Sequence, residues 1–123
     1  MLLVDNEPAA LQALQRVLQG WGFSVAAAGD GARACAALQV RAADIWLLDY
    51  HLDDQDTGVA LRERLVQMHG SRPAVILSAD PGPTVRRAVH EAGLPLLIKP
   101  LKPLALKSVL DRLLAAGRVP GAA

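Results

Sequence analysis

Ile45-Trp46-Leu47-Leu48-Asp49-Tyr50-His51-Leu52 decides how the rest of the 123-residue chain is to be read. Four large apolar residues in a row are too few for a helix and fit a strand buried on both faces, as in parallel sheets. Asp49 stands where that strand would leave the core. In open parallel sheets ligands bind outside the carboxyl ends of the strands, so an acid placed there is a candidate for chemistry. Two further runs end alike: Leu2-Leu3-Val4 leads into Asp5-Asn6-Glu7, and Leu96-Leu97-Ile98 into Lys99-Pro100.

Outward from these runs the chain alternates. Asp5-Asn6-Glu7-Pro8 offers a polar cap, a first-turn acid and an early proline for a helix carrying Leu11, Leu14, Leu18 and Trp21, stopped by Gly20 and Gly22. Phe23 to Ala28 reads as a second strand. Gly29-Asp30-Gly31 turns into an Ala-rich helix over about Ala32 to Val40, with Cys35, Ala36 and Leu38 on its apolar face. After Asp49 the polar stretch Leu52 to Gly58 is expected as a solvated loop, its acids Asp53, Asp54 and Asp56 included. A helix with Leu61, Leu65 and Met68 on one face follows. Ala74 to Leu77 is a fourth strand ending at Ser78, the next helix turns Val85, Ala88, Val89 and Ala92 inward, and Leu106, Val109, Leu110, Leu113 and Leu114 stripe a last one. Trp21 and Trp46 are expected to pack. Arg86, Arg87 and His90 fall on the outer face of the fourth helix, as solvated charge or partner surface.

Five strands alternating with five helices imply a doubly wound α/β domain with a five-stranded parallel sheet, flavodoxin-like order 2-1-3-4-5, and helices on both faces. Right-handed crossovers then bring Asp5, Asn6, Asp49, Ser78 and Lys99 to one edge. We expect one domain over residues 1–116 and a frayed tail over 117–123.

Composition narrows the function. The chain is 52% hydrophobic and 20% charged with 3% aromatics, an ordinary globular balance with an aliphatic core. A net charge of +1 without a basic patch among aromatics gives no footprint for direct nucleic-acid binding. The lone Cys35 fits a small buried hydrophobe and permits no internal disulfide. No apolar run approaches a membrane span, and the expected location is cytoplasmic. Clustered acids at the edge suit a hard divalent cation, Mg²⁺ or Mn²⁺. A carboxylate beside such a cation can accept a phosphoryl group, with Lys99 and the Ser78 hydroxyl neutralising charge.

Asp5-Asn6-Glu7-Pro8, Leu47-Leu48-Asp49, Ser78-Ala79 and Lys99-Pro100, in this order and spacing, resemble the receiver domain of two-component response regulators. The resemblance spans Leu2 to about Ala115. More narrowly, the segments around Asp5, Asp49, Asp56-Thr57-Gly58 and Lys99 are similar to receivers at the C-terminus of hybrid sensor histidine kinases, and a piece of such a protein is expected. A free-standing single-domain regulator is the alternative. The resemblance implies that Asp49 takes a phosphoryl group from a phosphohistidine on a histidine kinase or a histidine phosphotransfer domain. It implies Asp5, Asn6, Asp49 and the His51 backbone carbonyl as metal ligands, Ser78 and Lys99 as phosphoryl partners, and a cis Lys99-Pro100 bond. A downstream partner at the fourth and fifth helices is implied too, and no enzyme turning over substrate in isolation. Two positions depart from the pattern: Asn6 replaces the usual second aspartate, and Leu96 replaces an aromatic. They motivate a rival, an interaction module no longer phosphorylated. A metal-dependent phosphohydrolase would need a second acid soon after its nucleophile, where His51 stands.

Overall fold

The computed structural model describes residues 1–117 and contains a five-stranded, all-parallel sheet in the order β2-β1-β3-β4-β5. The strands are β1 (Leu2–Val4), β2 (Ala26–Ala28), β3 (Trp46–Asp49), β4 (Ala74–Ser78) and β5 (Leu96–Ile98). Between and after them run α1 (Pro8–Gly20), α2 (Gly31–Val40), α3 (Gly58–His69), α4 (Pro83–Glu91) and α5 (Pro103–Gly117). Of the tail expected over 117–123, Gly117 is the last residue of α5, and residues 118–123 lie outside the described residues.

The apolar runs of β1, β3 and β4 have no polar alternation because both sides of the sheet are covered. Successive side chains point to opposite faces, so each strand feeds two cores. Leu2, Val4, Trp46, Leu48, Ala74 and Ile76 pack with Ala34, Leu38, Leu61, Leu65, Val85 and Val89 from α2, α3 and α4. Leu3, Leu47, Val75 and Leu77 pack with Leu18 of α1 and Leu106, Val109 and Leu110 of α5. Burying each such side chain is worth about 1.5–3 kcal/mol, and these layers fix the strands whose ends carry the polar residues.

Several local expectations are corrected. The β1–β2 ladder starts at the Leu2–Ala26 pair, so Phe23, Ser24 and Val25 stay outside β2, while Phe23 and Val25 pack on the α1/α5 core. Pro8 does open α1, but Glu7 occupies the N-cap position without a side-chain cap and no acid lies in the first turn. In α2 the inward residues are Gly31, Ala34 and Leu38, with Cys35 half-buried and Ala36 exposed. Met68 is 48% exposed in the last turn of α3. The loop after β3 contains a 3-10 turn, Asp53–Gln55, with Asp54 and Gln55 at positive φ. The Lys99-Pro100 peptide is cis.

Candidate functional site

Three polar side chains are buried among the described residues, Asp5, Asp49 and Ser78, and all three stand at the carboxyl edge of the sheet. Strand geometry puts them there. Asp49 is the last residue of β3 and is in register with Leu77, so Ser78 at the end of β4 follows one step along. Asp5 directly follows β1, and its N–H donates to the Ala28 carbonyl at 3.2 Å. The Lys99 N–H donates to the Ser78 carbonyl at 2.8 Å, which sets the β5 end beside β4.

Lys99 joins the two acids. Its Nζ lies 2.7 Å from Asp5 Oδ2 and 3.2 Å from Asp49 Oδ1. The other Asp5 oxygen accepts the Glu7 N–H at 2.9 Å, so Asp5 serves the site and the entry to α1 together. Burial, and next the neighbouring Asp5 charge, push the Asp49 carboxyl above the ordinary carboxylate range; Lys99 and the more distant His51 pull the other way and do not win. Burial alone would lower the Lys99 ammonium, but the hydrogen bond to Asp5 and the charges of Asp49 and Asp5 raise it.

Two ionised carboxylates and one ammonium leave a net negative charge in a buried crevice, which favours a cation. Among the described residues no three His, Cys, Asp or Glu side chains group as a metal cage. The donor set instead suits Mg²⁺ or Mn²⁺, which take one or two carboxylates and complete their shell with water and phosphate oxygens. The His51 carbonyl fits as a further ligand. The bridge between His51 and Thr57 is made by the flanking groups, Leu52 N–H to the Asp56 carbonyl at 3.0 Å and Gly58 N–H to the Tyr50 carbonyl at 2.8 Å. Among the described residues no donor occupies the His51 carbonyl itself. Asn6 is exposed at the rim and donates its amide to Asp53 Oδ1 at 3.2 Å.

Ser78 is brought to the edge, yet its hydroxyl is engaged locally. It accepts the Asp80 N–H at 3.0 Å and donates to the Asp80 carbonyl at 3.3 Å. Asp56 is no free loop acid, since Arg64 reaches both its oxygens at 3.1 and 2.7 Å and holds its carboxyl below the usual range. Sequence reading missed Asp80, whose Oδ2 lies 3.1 Å from His51 Nε2 and whose Oδ1 accepts the Gly82 N–H at 2.8 Å. Its only trace in the sequence is an aspartate before Pro81-Gly82-Pro83, a turn signal. Arg86, Arg87 and His90 are exposed on α4 as expected, and with Val89, Leu94 and Leu96 they line an open groove of about 470 Å³.

Known proteins resemble this chain in sequence and in fold. The chain is 32% identical over 123 residues to the transcriptional regulatory protein ZraR of Salmonella typhimurium, covering 99% of this chain and 28% of that one. It thus spans about a quarter of the length of such curated relatives, which include further transcriptional regulatory proteins, GlrR of Escherichia coli and AlgB of Pseudomonas aeruginosa. The receiver domain of an HD domain-containing protein from Pseudomonas fluorescens superposes with a TM-score of 0.84 at 29% identity, covering 94% of each chain. NtrX from Brucella abortus superposes with a TM-score of 0.85 at 26% identity, over 94% of this chain and 27% of that one. Residues 1–111 match the family described as the response regulator receiver domain, and with the fold and its polar edge in agreement, the chain belongs to that family.

Proposed function

We propose that this domain accepts a phosphoryl group on Asp49 from a phosphohistidine of a histidine kinase or a histidine phosphotransfer domain. The observation that carries the reading is the buried Asp49 carboxylate, 3.2 Å from Lys99 Nζ, with Asp5 on the same ammonium. An Asp49 oxygen attacks the phosphorus, the P–N bond breaks, and its electron pair returns to the donor imidazole. Burial supports the attack, because a carboxylate held above its ordinary pKa is more basic and poorly solvated. Lys99 stays within reach of the Asp49 oxygens and offsets charge as the phosphoryl group arrives. A bound Mg²⁺ or Mn²⁺ would neutralise phosphoryl oxygens; Asp5, Asp49 and the His51 carbonyl would hold it, with Asn6 at the rim.

The names of the relatives favour a response regulator over a hybrid kinase as the setting, so the expectation of a kinase origin gives way to its alternative. The domain then acts as a switch that catalyses its own phosphorylation and dephosphorylation, with α4 and α5 facing a downstream partner. No helix among the described residues is long and apolar enough to cross a membrane. Intact mass after incubation with acetyl phosphate and Mg²⁺ tests the reading. One added phosphoryl group, lost in Asp49→Asn, is expected. No gain under conditions that modify another receiver would instead favour a module that binds without being phosphorylated.

A further inference from the structure

Asp80 is the meeting point of three restraints. Its backbone uses both hydrogen-bonding directions of the Ser78 hydroxyl, accepting at 3.3 Å and donating at 3.0 Å. Its Oδ1 accepts the Gly82 N–H at 2.8 Å, where Gly82 caps the start of α4. Its Oδ2 lies 3.1 Å from His51 Nε2. His51 stands two residues after Asp49 and Asp80 two after Ser78, so this pair spans the rim between the two loops. The imidazole is backed from beneath by buried Tyr50, edge to face at 4.8 Å between ring centres. Arg86 Nε donates to the Pro81 carbonyl at 2.8 Å and ties the first turn of α4 to the same loop.

In this arrangement the hydroxyl cannot donate to a group on Asp49 without leaving the Asp80 carbonyl. Turning Ser78 therefore breaks both of its bonds to the Asp80 backbone, and the Asp80 side chain, through Gly82 and His51, helps to hold that backbone where the hydroxyl meets it. We propose that Asp80, braced by His51, is a positioning residue that holds the Ser78 hydroxyl retracted and so sets how readily a phosphoryl group on Asp49 recruits it. The proposal rests on the reading of Asp49 as phosphoacceptor. A ligand that is bound better by the released arrangement gains apparent affinity when the retracted one loses a support. Both partners of the strut are exposed, His51 by 60% and Asp80 by 46%, so the effect is small.

The test is titration of the chain with beryllofluoride and Mg²⁺, followed by amide chemical shifts, in wild type, His51→Ala, Asp80→Ala and Asp80→Asn. His51→Ala keeps the backbone carbonyl while removing the brace. His51→Ala and Asp80→Ala should each lower the half-saturating concentration about two- to five-fold, the range open to an exposed charged pair. Asp80→Asn, which keeps an acceptor for Gly82, should stay nearer wild type. The same changes made in a Ser78→Ala background should give no gain, because there is no hydroxyl left to hold. Unchanged or weaker binding in His51→Ala and Asp80→Ala, or an equal gain without the Ser78 hydroxyl, would overturn the proposal while leaving phosphorylation of Asp49 intact. A wild-type chain that neither binds beryllofluoride nor gains mass with acetyl phosphate would overturn the underlying reading, and the proposal with it.

Discussion

The loops after β3 and β4 leave the sheet at the same edge, but they are held by different means. From Asp49 to Gly58 the hold is backbone: Tyr50 N–H to the Leu77 carbonyl, Gly58 N–H to the Tyr50 carbonyl, and Leu52 N–H to the Asp56 carbonyl, all at 2.8–3.0 Å. Tyr50 and Leu52 are buried, and Arg64 pins Asp56 from outside. From Ser78 to Pro83 the hold is made by side chains: the Ser78 hydroxyl on the Asp80 backbone, exposed Asp80 on Gly82 and His51, and exposed Arg86 on the Pro81 carbonyl. Buried backbone hydrogen bonds are costly to break, whereas an exposed pair is worth at most about 1 kcal/mol. The first loop is a fixed mount for Asp49, the proposed phosphoacceptor, and the second is the more weakly held of the two.

The largest effect tests the mount directly. Asp49→Ala should abolish phosphoryl uptake, since the other buried carboxylate beside Lys99 among the described residues, Asp5, is already engaged by Lys99 and the Glu7 N–H. A full mass gain in this variant would place the phosphoacceptor elsewhere and dissolve the contrast between the loops.

Gly58 comes next, because it marks how closely the first loop is packed. A Cβ there would collide with the Asp49 carbonyl oxygen, lie 3.2 Å from the Asp49 carbonyl carbon and 3.3 Å from Ile76 Cδ1. Backbone cannot swing aside as a side-chain end can, so Gly58→Ala should cost about 1–3 kcal/mol, the range for overpacking a core. Urea melts would read it. A stability within experimental error of wild type would show the β3 loop to be as yielding as the β4 loop.

A smaller effect comes from Asp49 itself, and its sign is set by the raised pKa. A carboxyl whose folded pKa lies above its unfolded value favours the native state below the unfolded pKa, and that contribution is lost as pH rises through the folded one. At neutral pH without added metal, the ionised Asp49 is therefore a liability of the fold. Asp49→Asn should be more stable there by about 0.5–2 kcal/mol, as for other relieved functional sites. The gain should shrink as pH falls from neutral toward the ordinary carboxylate range and be gone below it; a gain that stays constant through that range would mean that repacking, not charge, is responsible.

Much of this site is legible from the chain alone because it depends on strand ends. An apolar run buried on both faces has little freedom in register, so Leu2–Val4 fixes Asp5 and Trp46–Leu48 fixes Asp49. What the sequence does not display is which side chains meet across loops. Nothing local to His51 announces Asp80, since that pair joins two loops whose approach is set by the sheet, and Asp56 meets Arg64 only because the chain enters α3 at an angle that brings Arg64 back over it. The Ser78 hydroxyl was expected to face the phosphoryl group, and it does stand at the site, but an uncompensated hydroxyl buried there takes the nearest backbone partners. Met68 failed for another reason. Periodicity says which side of a helix faces the sheet, not how far along the helix the cover extends, and Met68 lies in the last turn of α3.

The smallest effect repeats the Gly58 experiment in the other loop. Gly82 has φ −66° and ψ 160°, a conformation open to any residue, so alanine brings no backbone strain. Its Cβ would lie 2.9 Å from Asp80 Oδ1 and 3.8 Å from Asp80 Cγ, the far end of an exposed side chain that can rotate away. The rotation weakens the Gly82 N–H to Oδ1 bond, while alanine restricts the unfolded chain more than glycine does and offsets that loss. Gly82→Ala should therefore leave stability within about 0.5 kcal/mol of wild type. The carboxyl of Asp80 should respond where the melt does not. Its pKa is held down first by the Gly82 N–H and then by His51, so Gly82→Ala should move it back toward the ordinary aspartate value in a carbon-detected NMR titration. An unshifted titration would mean the carboxylate keeps its partner despite the methyl group, and the turn at Asp80 would then be a rigid mount like the loop after β3.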